Sequence, residues 1–80
     1  MDNKTKQIKS LRAMIKCLNT LIESANESIK TLSSQLLNAA GSARASIETR
    51  LKTAEEYAQR HKNQISSFED EIDQLNNKVS

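Results

Sequence analysis

Leu36-Leu37-Asn38-Ala39-Ala40-Gly41-Ser42-Ala43-Arg44-Ala45-Ser46-Ile47 contains the only glycine of the chain, and an unbroken seven-residue repeat runs away from it on each side. Before it, Ile8, Leu11, Ile15, Leu18, Ile22, Ala25, Ile29, Leu32, Leu36 and Ala39 recur at alternating steps of three and four. After it, Ile47, Leu51, Ala54, Ala58, His61, Ile65, Phe68, Ile72, Leu75 and Val79 do the same. That spacing lines each set along one seam of a helix, and such a seam has to meet another helix.

The twelve residues decide between one long helix and two. Continued past the glycine, the phase of Ile8, Ile15, Ile22, Ile29 and Leu36 falls on Ala43, Arg50 and Tyr57. The second repeat instead has Leu51, Ala58, Ile65 and Ile72 in that role, so the phase slips by one residue. Glycine is favoured just past a helix end, and serine is a good N-cap for the next helix. The spacing therefore predicts an all-α fold: an antiparallel two-helix coiled-coil hairpin turning near Gly41-Ser42. Helix 1 is expected over about 4–40 and helix 2 over about 43–78, in a single domain of residues 1–80. The competing arrangement is one continuous helix in an antiparallel dimer. A mid-helix glycine costs only ~1 kcal/mol, and a small slip can be absorbed in the supercoil.

Folded at Gly41-Ser42, the two seams match. Leu36 faces Ile47, Leu32 faces Leu51, Ile29 faces Ala54 and Ala25 faces Ala58. Ile22 then faces His61, Leu18 faces Ile65, Ile15 faces Phe68, Leu11 faces Ile72 and Ile8 faces Leu75. Any two heptad arrays mirror in this way about regularly spaced axes; the telling point is that one axis falls on the glycine. Charge gives an independent argument. Lys4, Lys6, Lys9, Arg12 and Lys16 crowd the start of the chain, and Glu69, Asp70, Glu71 and Asp73 crowd its end. A hairpin sets these clusters side by side, with Arg12 and Glu69 flanking one seam. A parallel dimer would stack each cluster on itself, which like charges disfavour. Isoleucine and leucine alternating in the first arm are the pattern of a parallel dimer, but the charges and the alanine-rich second arm outweigh it.

Eighty residues with one glycine and no proline or tryptophan suit a helical rod or bundle. Two helices alone bury little apolar surface, so association into a larger helical bundle, or with a partner chain, is expected. The first arm carries more apolar residues than one seam needs. Met14 and Leu21 lie one ridge outside it, and Tyr57 falls on the same side, across from Ser28. Together they form an apolar ledge, as on a helix with more than one neighbour. Leu37 and Cys17 are placed away from it. The seam is thin at its middle, where Ala25, Ala54 and Ala58 are small and His61 faces Ile22. The expected partner-binding residues are therefore Met14, Leu21, Tyr57, Ala54, Ala58 and His61. Imidazole titrates near ~6.5, so His61 is the one candidate for a pH-sensitive layer; its plainer reading is a neutral histidine tolerated in the seam.

The chain offers little for catalysis. His61 and Cys17 are its only histidine and cysteine, and the hairpin does not oppose them, so no nucleophilic pair is expected. No metal-ligand spacing, calcium loop or phosphate-binding glycine loop is present. The expectation is a non-enzymatic protein with no cofactor and no metal. A net charge of +2, from 12 basic and 10 acidic residues, is too balanced for a dedicated nucleic-acid binder, and there is no aromatic platform on which bases could stack. No apolar run approaches the ~20 residues of a membrane span. No signal peptide is visible at Met1-Asp2-Asn3-Lys4, so a cytoplasmic location is expected.

In size and pattern the whole chain resembles the short helical-hairpin proteins that serve bacteria as secretion cochaperones, assembly adaptors and small secreted helical partners. The tryptophan-x-glycine turn of one such secreted group has no counterpart here. The resemblance implies a small chaperone or adaptor that binds and shields a helical partner. Two other functions compete: a homo-oligomeric structural coiled coil, and a small nucleic-acid-associated regulator. The partners expected are the chain itself, a helical protein, or both.

Overall fold

The computed structural model describes residues 3–77 and folds them into two helices, α1 (Asn3–Leu36) and α2 (Gly41–Asn77). The molecule is a rod measuring 62 × 15 × 12 Å. An unbroken helix of this many residues would be about 120 Å long at ~1.5 Å per residue. The chain is therefore folded back on itself, and α1 packs against α2 along its length.

Nothing in either helix interrupts the backbone ladder. The internal Thr20, Thr49 and Thr53 donate their hydroxyls to the carbonyls of Lys16, Ala45 and Thr49, at 3.2, 3.1 and 3.1 Å. A threonine away from a helix end satisfies its side chain in this way. Both helices run straight through these threonines.

Every seam position described is buried or half-buried, and among the described residues Lys4 is the only other one that is not exposed. Lys4 is itself the next step of the repeat toward the N-terminus. Val79, the last step of the second repeat, lies outside the described residues. The most covered side chains are Leu11, Ile22, Ala25, Ala58 and Ile72. Leu11 and Ile72 form one expected layer, Ala25 and Ala58 another, and Ile22 belongs to the layer of His61. No described side chain is fully enclosed. Two helices cover a seam from two sides only, and the flanks between them stay open to water.

The turn departs from expectation in its details. The reversal occupies residues 37–40, so α1 stops at Leu36 and does not continue to about residue 40. The N–H groups of Asn38 and Ala39 donate to the carbonyls of Gln35 and Leu36, at 3.1 and 3.3 Å. These tight three-residue bonds satisfy the last carbonyls of α1 without a left-handed residue. Gly41 is left-handed, with φ +64°, but it opens α2 rather than closing α1. Ser42 accordingly sits inside the first turn of α2 and is not its N-cap.

The charge clusters occupy the wrong ends for each helix alone. A helix N-terminus favours acidic residues and a C-terminus basic ones, yet the first turn of α1 has no acid and the last turn of α2 no base. The hairpin accounts for this. Arg12, Glu69, Asp70 and Asp73 line one shallow groove between the helices, with Ile15 and Ile72 at its floor. Charges of opposite sign from the two helices share this groove, where neither helix's own dipole favours them.

Candidate functional site

The two flanks of the hairpin differ. One carries the charged groove of Arg12, Glu69, Asp70 and Asp73. The other carries three of the four large apolar side chains that remain exposed among the described residues: Met14 at 45%, Leu21 at 41% and Tyr57 at 41%. The fourth, Leu37, is 86% exposed in the turn and away from this flank.

Helix periodicity places this strip. Met14, Cys17 and Leu21 stand three and four residues apart, so they stack on one ridge of α1. The hairpin then brings α2 alongside. Leu21 and Tyr57 line one groove together with Ala25, Ser28, Leu32 and Ala54, and Arg50 and Thr53 form part of its α2 wall. Nearer the open end of the hairpin, Met14, Cys17 and Leu18 line a second hollow against Gln64 and Phe68. Met14 also walls a third, with Lys6, Gln7, Ser10 and Leu11 facing Glu71, Gln74 and Leu75. The three hollows follow one another along the same side of the rod. Their floor is the seam itself, seen edge-on.

Tyr57 is held by His61. The two rings meet at 65° with centroids 4.2 Å apart, an edge-to-face contact that favours one orientation of the phenol ring. His61 Nδ1 lies 3.2 Å from Gln64 Oε1. Nε2 is covered by the seam with no hydrogen-bond partner. His61 thus props the tyrosine from beneath.

The expected partner-binding residues separate into three kinds. Met14, Leu21 and Tyr57 are open to a partner, and Ala54 forms part of the floor between them. His61 is half-buried and reaches the flank only through Tyr57. Ala58 has to be corrected. At 4% exposure it has the lowest value in the core, because two small side chains, Ala25 and Ala58, let the helices close at that layer. The thin centre of the seam is shut there and leaves no gap for an inserted side chain.

Cys17 also needs correcting. It belongs beside the ledge, since it lines a hollow with Met14. Its spacing of three from Met14 and four from Leu21 was the available signal. Ser24, Ser28, Arg50 and Gln64 complete the strip; Ser28 stands seven residues after Leu21, and Arg50 and Gln64 stand seven residues either side of Tyr57, so the same repeat places them.

Among the described residues, no three histidine, cysteine or acidic side chains gather into a set able to hold a metal ion. No helix among them is long and apolar enough to cross a membrane. No family model, curated protein or solved structure matches the chain.

Proposed function

We propose that this chain is a non-enzymatic protein–protein interaction module, a small helical adaptor or chaperone. It lays a helix of its partner along the flank of Met14, Leu21 and Tyr57 and shields that helix's apolar face, as in a bacterial secretion or assembly system. The reading places it in the cytoplasm. The observation that carries it is the one-sidedness of the exposed apolar residues. Single exposed apolar side chains are ordinary on any surface. Three on one side of a narrow rod, above a groove with an apolar floor, form the kind of stripe that receives a helix.

The size of the hairpin supports the same reading. With no described side chain fully enclosed, added contact on the open flank deepens burial of the seam and raises stability. A ligand that binds only the folded form stabilises it in proportion to the logarithm of its concentration over Kd. The test is capture of a partner by the tagged chain from its own cells, repeated with Leu21→Glu and Tyr57→Glu. The reading expects one partner held by the unaltered chain and released by either variant, and a higher melting temperature once that purified partner is added. A partner held equally well by both variants would refute it.

The shallow core also favours a second reading, a homo-oligomeric structural coiled coil. That reading expects high stability of the chain alone and one fixed oligomer across the concentrations tested.

A further inference from the structure

We infer that, in the free chain, a second copy covers this same flank, packed face to face and antiparallel, so that a partner must displace a self-dimer. The inference rests on the flank being the binding site. It comes from a difference between the two edges of the strip. Along α1 the exposed flank residues from Met14 to Ser28 are uncharged (Met14, Cys17, Leu21, Ser24 and Ser28), and Lys6 lines the hollow of Glu71 nearer the open end. Along α2 the strip carries a charge toward each end, Arg50 near the turn and Glu71 near the open end.

Two identical flanks can stack about a two-fold axis in two ways. With the axis along the rod, α1 of one copy lies on α2 of the other. Arg50 then loses water against uncharged side chains, which is costly. With the axis across the rod, α1 lies on α1 and α2 on α2, each pair running in opposite directions. The uncharged edges then meet each other, and so do the charged edges.

The charges also fix the level of the axis. Arg50 lines its groove beside Leu32 and Ser28, and Glu71 lines its own beside Ser10 and Met14. Halfway between them lies the level of Leu21 and Ser24. An axis there brings Arg50 of each copy onto Glu71 of the other. On α1 the same axis sets Leu21 against Ser24 and Cys17 against Ser28 of the second copy, large against small. Arg60, on the outer edge of α2, comes near its own counterpart, with Glu56 four residues earlier on the same helix to offset the repulsion. A face 62 Å long and 15 Å wide offers on the order of 900 Å², comparable with the ~800 Å² per partner of a standard-size interface.

The test uses the native cysteine. In this dimer the two Cys17 residues are about 16 Å apart along the helices, too far for a disulfide, which needs α-carbons within ~7 Å. Ser28→Cys places a thiol opposite Cys17 of the second copy. Under mild oxidation, the Ser28→Cys protein should form a covalent dimer. The unaltered chain and the Cys17→Ser/Ser28→Cys variant should not. Sedimentation of the unaltered chain should show a reversible dimer. Arg50→Glu should weaken it by roughly tenfold, and adding Glu71→Arg should recover most of that loss.

A monomer at every concentration would overturn the self-dimer, as would a disulfide formed as readily by the unaltered chain. In either case, partner capture that still depends on Leu21 leaves the adaptor function standing. Cross-linking as expected, combined with capture that ignores Leu21→Glu, would sustain the dimer and refute the adaptor.

Discussion

The edge of one ring meets the face of the other where Tyr57 and His61 touch, 4.2 Å between centroids, and the contact joins the seam to the open flank. His61 occupies a core step of the heptad, and Tyr57 stands on the surface one turn before it. The cost of the arrangement falls on His61 Nε2, buried without a hydrogen-bond partner.

His61→Leu removes that orphaned nitrogen and fills the layer opposite Ile22 with hydrocarbon. A buried unsatisfied polar atom costs ~1–3 kcal/mol, and the lost hydrogen bond to Gln64 is solvent-exposed and weak. The variant should be more stable by about 1 kcal/mol, raising the melting temperature by roughly 4–8 °C in a chain of this size. Thermal melting followed by circular dichroism measures it. A drop in melting temperature would show that His61 stabilises the seam through Tyr57 more than its nitrogen costs.

Gly41→Ala tests the turn. A β-carbon at this position meets nothing within 4 Å, so the change has no steric penalty, but φ is +64°. Holding an L-residue in that region costs about 1–2 kcal/mol. The expected result is a loss of about 1 kcal/mol in urea unfolding with an unchanged m-value. A stabilised variant would mean that the chain straightens into a continuous helix, and its hydrodynamic length would then nearly double.

Leu11→Ala and Ile72→Ala each remove a buried side chain from one layer near the open end. Each should cost about 2–4 kcal/mol. The double variant should lose less than the sum, because both changes empty the same layer. Strict additivity in a double-mutant cycle would place the two residues in different layers and shift the register.

Ala58→Leu enlarges the side chain with the lowest exposure in the core, at 4%. Overpacking a closed layer costs about 1–3 kcal/mol. Ala54→Leu, half-buried at the edge of the groove, should be close to neutral. Equal effects at the two alanines would mean that the centre of the seam is as open as the flank.

Much of this molecule can be read directly from the sequence. Each seam residue from Ile8 to Leu75 is buried or half-buried as its spacing requires, because a seam residue recurs about once per turn and no single position has to carry the assignment. The side of Met14, Leu21 and Tyr57 was legible for the same reason. The turn was not. Gly41 suits the residue after a helix or the first residue of the next, and both are local solutions. Which one holds depends on whether the carbonyls of Gln35 and Leu36 find other donors, as they do in Asn38 and Ala39.

The sequence by itself determined that two amphipathic helices meet along one seam and which residues form it, since the three-and-four spacing fixes the direction of each side chain around its helix axis. Only the tertiary structure decided the fate of residues with the same pattern. Ala54 opens onto a groove and Ala58 is shut in the core. The reason is geometric. Periodicity gives the direction of a side chain, whereas exposure depends on the distance to the opposite helix, which is set by the side chains that helix presents at the same level.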